Sequence, residues 1–155
     1  MEKEITGKVN LPPVSQVGMV VKDIDKVIQF YSSTLGIGPW VVKEGEYREL
    51  KVRDQIFSCK TKVARADFGP IELELFQVIE GRSLHSEFLD KDREGVHHFG
   101  FFVSGEEKEK IIGQFGDIGI NVVQAAERPN VRFAFLDTEE QGGGVFIELI
   151  EQIPG

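Results

Sequence analysis

The chain has 155 residues, 41% hydrophobic and 28% charged, which suits one compact domain or two small modules sharing a core. Its net charge of −8 argues against nucleic acid and anionic membrane as partners, and no stretch approaches the ~20 apolar residues of a membrane span. The single cysteine, Cys59, excludes an intrachain disulfide and suits a reducing cytoplasm, and the polar start MEKEITGKVN is unlike a secretory signal.

Residues 1–13 are charged, end in Pro12–Pro13 and read as an extended tail. A first strand is predicted over roughly 14–21. Asp23 is placed to cap a helix whose apolar residues Ile24, Val27, Ile28, Tyr31 and Leu35 fall at helical spacing, with Gly36 as its stop. Three strands follow: PWVVKEGEYREL, then QIFSCKTKVARADF after a turn near Asp54, then IELELFQVI after Phe68-Gly69-Pro70. The first module, 14–80, is thus βαβββ. A polar connection, 81–94, carries a short amphipathic helix near Leu84–Leu89. The second module, 95–152, repeats the order: GVHHFGFFV, a helix capped by Ser104, then INVVQAAE, VRFAFLD and GVFIELIEQ. Cys59 reads as a small buried hydrophobe.

The stretch Gly95–Val103 sets two adjacent histidines in an apolar run. Strand alternation predicts that they point to opposite faces, with His97, Phe99, Phe101 and Val103 on a core face and His98, Gly100 and Phe102 on the other. The first strand carries a matching set. Gln16, Gly18 and Val21 correspond to His98, Gly100 and Val103, each at an offset of 82 (98 − 16). The last strands of the modules also match, through Glu74-Leu75 and Glu148-Leu149. Each module therefore supplies one donor on its first strand and one carboxylate on its last. One imidazole, one amide oxygen and two carboxylates form a plausible divalent-metal site with positions left for water or substrate. Glu72 shares a face with Glu74 and Phe76, and reads as a water-facing carboxylate. Phe76, Phe102 and Phe146 share the donor faces. Trp40 is assigned to a rim or to the core. Arg65 and Arg132 read as solvent-facing, with an anion contact as the alternative.

On VSQVGMVVKDIDKVIQFYSSTLGIGPW, PIELELFQ, EGVHHFGFFV and VFIELIEQ, the chain resembles the vicinal oxygen chelate superfamily. That superfamily includes glyoxalase I, methylmalonyl-CoA epimerase, extradiol dioxygenases and bleomycin-resistance proteins. The resemblance covers about Val14 to Gln152. It implies an α+β fold in which two tandem βαβββ modules curl into a shared cup around one metal. By resemblance the metal positions are Gln16, Glu74, His98 and Glu148. The ion would be one divalent cation among nickel, cobalt, zinc, manganese and magnesium. Related proteins are often homodimers.

The block SLHSEFLDKDREGVHHFGFFV is most similar to the epimerase branch, which acts on acyl-CoA thioesters. That branch usually has His where Gln16 stands, and its extra strand-three glutamate has no counterpart in KTKVARADF. The Gln, Glu, His, Glu set instead resembles eukaryotic glyoxalase I. The glutathione contacts expected there are replaced by Val20, Val78 and Glu94, which disfavours a glutathione hemithioacetal.

The shared chemistry is abstraction of a proton next to a carbonyl, with the enolate stabilised by the metal. Glu148 is the expected base and Glu74 its counterpart. The expected function is a cytoplasmic, metal-dependent isomerase, epimerase or lyase, on an acyl-CoA thioester or a small α-hydroxy ketone. The alternatives are a metal-independent small-molecule binding or antibiotic-sequestering protein on the same fold and, last, a ring-cleaving dioxygenase. The last favours two histidines and a carboxylate around iron, and Gln16 stands in place of one histidine.

Overall fold

The computed structural model describes residues 7–153; residues 1–6 of the expected tail lie outside them. Eleven elements follow in order: β1 (Gln16–Val20), α1 (Ile24–Leu35), β2 (Val41–Val52), β3 (Gln55–Phe68), β4 (Ile71–Gly81), α2 (Leu84–Asp90), β5 (Gly95–Val103), α3 (Gly105–Asp117), β6 (Val122–Arg128), β7 (Val131–Leu136) and β8 (Phe146–Gln152). The expected α+β architecture is present, and its eight strands close into a barrel in the order β1-β4-β3-β2-β6-β7-β8-β5.

Local chemistry explains the elements. Asp23 accepts a hydrogen bond from the Lys26 amide at the start of α1, satisfying one of the free N–H groups there. Gly36 ends that helix with φ 67, a left-handed conformation that glycine adopts without a Cβ clash. Ile24, Val27, Ile28 and Tyr31 of α1 pack on Ala64, Leu73 and Leu75 from outside the barrel. Each fully buried aliphatic side chain in such a cluster contributes roughly 1.5–3 kcal/mol. Ser104 caps α3 in a reciprocal box with Glu107, and Ile111 and Phe115 pack on Phe101, Val103, Leu136 and Leu149. The turn near Asp54 is a two-residue hairpin with Arg53 and Asp54 both at positive φ, matching the twist of β2 and β3. Residues 7–13 continue along the outside of α3: Val9 joins its cluster, and the Asn10 amide donates to Gln114.

The halves have the same internal pairing. β1 runs parallel to β4, and β5 parallel to β8. The halves join along antiparallel β1 and β5, where Gln16 lies opposite Gly100 and Gly18 opposite His98. Each first-strand donor therefore faces the other module's glycine. The second seam, β2 to β6, is short and pairs Lys51 with Ala125 and Val52 with Gln124. α2 lies at one end of the barrel. Its Leu84 joins Leu50, Phe135 and Phe146 inside, while Phe88 packs on Val20 and Phe76.

One expectation is overturned. His97 and His98 do not point to opposite faces. The register between β1 and β5 shifts after the Gly18–His98 pair, so that Met19 lies opposite Val96 and His97 falls in a bulge. A bulge sets two residues against one and interrupts the alternation of faces. Both imidazoles are buried, and their Nδ1 atoms are 2.9 Å apart. Beyond the bulge alternation resumes, with Phe101 and Val103 under α3 and Phe99 partly exposed.

A Cβ added at Gly18 would collide with the His98 ring. Gly18→Ala is therefore expected to cost about 1–3 kcal/mol in urea denaturation, as overpacking does. Gly113→Ala on α3 has open space and should add about 0.5–1 kcal/mol instead.

Candidate metal centre

The four donors singled out in the sequence come together inside the barrel. His98 Nε2 lies 3.2 Å from Gln16 Oε1, 3.3 Å from Glu74 Oε1 and 3.7 Å from Glu148 Oε1. β1 and β5 place Gln16 and His98 through the seam. β4 and β8, the parallel neighbours of those strands, place Glu74 and Glu148. All four side chains are buried. Gly100 leaves room for Gln16: a Cβ there would stand 3.0 Å from Gln16 Oε1.

Around these donors lies a polar ring that joins half-exposed side chains to the buried set. Glu72 keeps part of its side chain exposed and also binds a donor. Its Oε1 accepts from Gln16 Nε2 at 2.8 Å, which turns the amide oxygen of Gln16 toward His98. Arg65 is exposed, as expected, and also reaches inward. Its Nη2 reaches Glu74 Oε2 at 2.9 Å and its Nε lies 3.5 Å from Glu72. Both contacts have one cause. Register pairs Arg65 with Glu74 across β3 and β4, and Gln16 with Glu72 across β1 and β4. Arg132 does pair on the outside, with Glu127 and Glu151. Trp40 belongs to the α1 packing, with its indole N–H on Ser32 and the Ile37 carbonyl. Phe76 and Phe102 line the cup, whereas Phe146 is buried beneath it against His97. Cys59 faces the cup, and burial pushes its thiol up, which suits an inert side chain.

The cup is a cavity of about 370 Å³ with Tyr47, Phe76, Phe133 and Phe135 among its walls and Lys43, Asn130 and Gln152 also lining it. A larger groove of about 790 Å³ lies by α3 and β6, but it holds none of the four donors. Gln16, Glu74 and Glu148 line the smaller cavity.

The electrostatics separate the two glutamates. Burial alone would raise Glu74, but the His98 hydrogen bond and the charges of His98 and Arg65 outweigh it and hold the carboxyl at about 2. Burial pushes Glu148 up to about 8; His98 opposes this and the Glu74 charge adds to it. Burial would lower His98, but Glu148 and Glu74 raise it. The centre thus has one anchored carboxylate, one carboxyl that resists ionisation, and an imidazole between them.

The sequence reading missed His85. It sits on α2, stacked on Phe76 at 3.8 Å between ring centroids, and burial pushes it down to about 3. Its signal was present: His85, Phe88 and Leu89 fall at i, i+3 and i+4 on one helix face. His85, His97 and His98 bring ring nitrogens within 4.8 Å of one another. A cation must lie near the plane of each ring that binds it. His85 and His97 are stacked with centroids 4.5 Å apart and planes 25° apart, so their lone pairs do not converge. The Gln16, Glu74, His98 and Glu148 set fits better. It offers one nitrogen and three oxygens, and Glu74 keeps Oε1 inward while Oε2 holds Arg65.

A model of the glyoxalase/bleomycin resistance protein/dioxygenase superfamily matches residues 15–135. No curated protein sequence matches the chain. Among solved structures, the fold is similar to methylmalonyl-CoA epimerase from Mycobacterium tuberculosis, with 21% identity, 98% of this chain and 94% of that chain covered, and a TM-score of 0.64. It is also similar to a variant Streptomyces coelicolor methylmalonyl-CoA epimerase in complex with 2-nitronate-propionyl-CoA, with 20% identity, 94% and 100% covered, and a TM-score of 0.67. A hypothetical protein from Bacillus halodurans C-125 is similar at 21% identity, 92% and 95% covered, with a TM-score of 0.65.

Two measurements check this geometry. Glu72→Ala frees the Gln16 amide and is expected to weaken divalent-ion binding by roughly 10–100-fold in calorimetric titration. Glu148 holds its proton to about 8 in the fold, against the ordinary 4.5. The folded state therefore binds more protons across that window, and stability falls as pH rises through it. Metal-free Glu148→Gln should melt above the parent protein at pH 8, with the gap closing at pH 5.

Proposed function

The chain belongs to the glyoxalase/bleomycin resistance protein/dioxygenase superfamily, and on that premise we propose that it is a divalent-metal-dependent isomerase, epimerase or lyase. It takes a proton from the carbon next to a carbonyl. The observation that carries this reading is the convergence of Gln16, Glu74 and Glu148 on His98 Nε2 inside a buried cup. A divalent cation held by these four residues supplies Lewis-acid stabilisation of charge developing on the carbonyl oxygen.

The rest is the work of the chain's own groups. Glu148 is the base, because its carboxylate gains most from accepting a proton in this buried setting. Glu74 is the weaker base of the two, since Arg65 holds it as an anion. Proton exchange is therefore expected mainly on the face that Glu148 commands. Returning the proton to a neighbouring carbon on that face, or expelling a leaving group, fits this asymmetry better than exchange between two equivalent bases. Phe76, Phe102, Phe133 and Phe135 line the cup and favour an apolar substrate body. An acyl-CoA thioester is one candidate, supported by the epimerase neighbours; a small α-hydroxy ketone is the other.

The competing reading is a small-molecule binder on the same fold, favoured by the aromatic cup and the net charge of −8. Elemental mass spectrometry of the purified protein separates the two. The enzyme reading expects about one divalent ion per chain, lost in a His98→Ala/Glu148→Ala variant. No ion after reconstitution, together with tight binding of a cationic drug, would establish the binder.

Glu148→Gln is expected to slow deuterium exchange next to the carbonyl of a 2-methyl acyl thioester or an α-hydroxy ketone by about 10²–10⁴-fold, read by NMR in heavy water. Unchanged exchange in that variant would remove Glu148 from the mechanism.

A further inference from the structure

The four donors stand on β1, β4, β5 and β8, which are neighbours along one side of the closed barrel. β2 and β6 stand across the barrel from them, so a molecule bound at the donors presents its far end to those strands. The inward face of β2 carries Lys43, Gly45 and Tyr47, paired with Val63, Thr61 and Cys59 of β3, and both Lys43 and Tyr47 line the cup.

Tyr47 is clamped in place. Gly45 leaves a space that Arg128 of β6 fills: a Cβ there would stand 2.8 Å from Arg128 Nη2. The Arg128 guanidinium lies 3.8 Å over the Tyr47 ring and donates to the Glu46 carbonyl at 2.8 Å. Phe133 of β7 meets the ring edge-on, with centroids 5.6 Å apart. These contacts continue the closure of the barrel past the short seam at Lys51 and Val52. A phenylalanine ring would close it equally well. The hydroxyl is left over. It feels the charges of Arg128, Glu74, Glu148 and Arg65, but among the described residues it has no hydrogen-bond partner. Burial, aided by Glu74 and Glu148, outweighs the two arginines and pushes the phenol up, so it stays a donor. Lys43 is in the same position. Nearby Arg65 is engaged by Glu74 and Arg128 by Glu46, whereas the Lys43 ammonium has no ion-pair partner among the described residues.

We propose that Tyr47 and Lys43 form a subsite for an anionic oxygen group of the substrate, such as a carboxylate, at the end remote from the reacting carbonyl. The substrate is then an acid and not a cation. This inference rests on the proposed function for the way that substrate is oriented. A phenol O–H and an ammonium both make their stronger hydrogen bonds to ionised oxygen. Phe76 and Phe135 wall the cup and suit the carbon chain of such an acid. The net charge of −8 does not oppose it, because exposed charges beyond about 10 Å are largely screened at ordinary ionic strength.

The test uses a matched pair of 2-oxo acids of equal chain length. 2-Oxoglutarate ends in a second carboxylate, and 2-oxopentanoate ends in a methyl group. Their binding to the full-length protein is measured by calorimetry with and without Zn²⁺. The parent is expected to prefer 2-oxoglutarate on the order of 10–100-fold, which is what a hydrogen bond to a charged group is worth. Tyr47→Phe and Lys43→Gln should each lose most of that preference while binding 2-oxopentanoate as the parent does, a split that loosened packing would not produce. Equal binding of the two acids by the parent, binding of neither, or an unchanged preference in either folded variant overturns the inference and leaves the zinc site standing. Failure of the parent to take up zinc overturns the metal reading, and the same pair on the metal-free protein then decides the subsite by the same outcomes.

Discussion

The antiparallel pairing of β1 with β5 is the constraint on which the site depends. Gln16 lies opposite Gly100 and His98 opposite Gly18, so each module's donor rests over bare backbone supplied by the other. A side chain at either glycine would crowd its donor. The carboxylates then follow from the parallel neighbours, β4 for Glu74 and β8 for Glu148. Neither module alone holds more than one first-strand donor and one carboxylate. The complete set exists only where the halves meet.

Burying that set in a barrel is costly unless the charges are matched. The chain's own side chains meet the cost in three ways. Arg65 neutralises Glu74 from the side away from His98. Glu148 resists ionisation. His85 and His97 stay uncharged, with burial pushing both well down. A divalent cation would replace part of this arrangement, since it compensates the inward oxygens directly. The residues around the donors therefore do more than fill space. Glu72 turns the Gln16 amide, Arg65 divides the work of the two Glu74 oxygens, and His97 stands at the far nitrogen of His98. Such outer partners govern affinity and orientation in metal sites generally.

Asymmetry is the other consequence. The strand pairing repeats between the halves, but the chemistry does not. Arg65 sits beside Glu74, while among the described residues no cationic side chain lies within salt-bridge distance of Glu148 except His98 if protonated. Duplicated strands thus present two glutamates of different basicity to one cup. That difference, more than the shape of the cavity, is what gives the proposed proton transfer a preferred face.

Much of this was legible in the sequence. The helix caps Asp23 and Ser104, the stop at Gly36 and the βαβββ repeat follow from local rules, because capping and periodicity are short-range properties of the chain. The repeat also identified Gln16, Glu74, His98 and Glu148 as a set, since matching strands carry matching faces. Tertiary structure decided the rest. Alternation misplaced His97 because a bulge depends on the register of the partner strand, which no single strand encodes. The contacts of Glu72 with Gln16 and of Arg65 with Glu74 were not legible because those partners lie across strand neighbours that the sequence does not name. His85 was passed over in a connection that becomes one end of the barrel. The sequence by itself determined which side chains can act as donors. Only the closing of two half-barrels on one another decided which nitrogen and which oxygens face each other, because that geometry arises from pairings between distant strands.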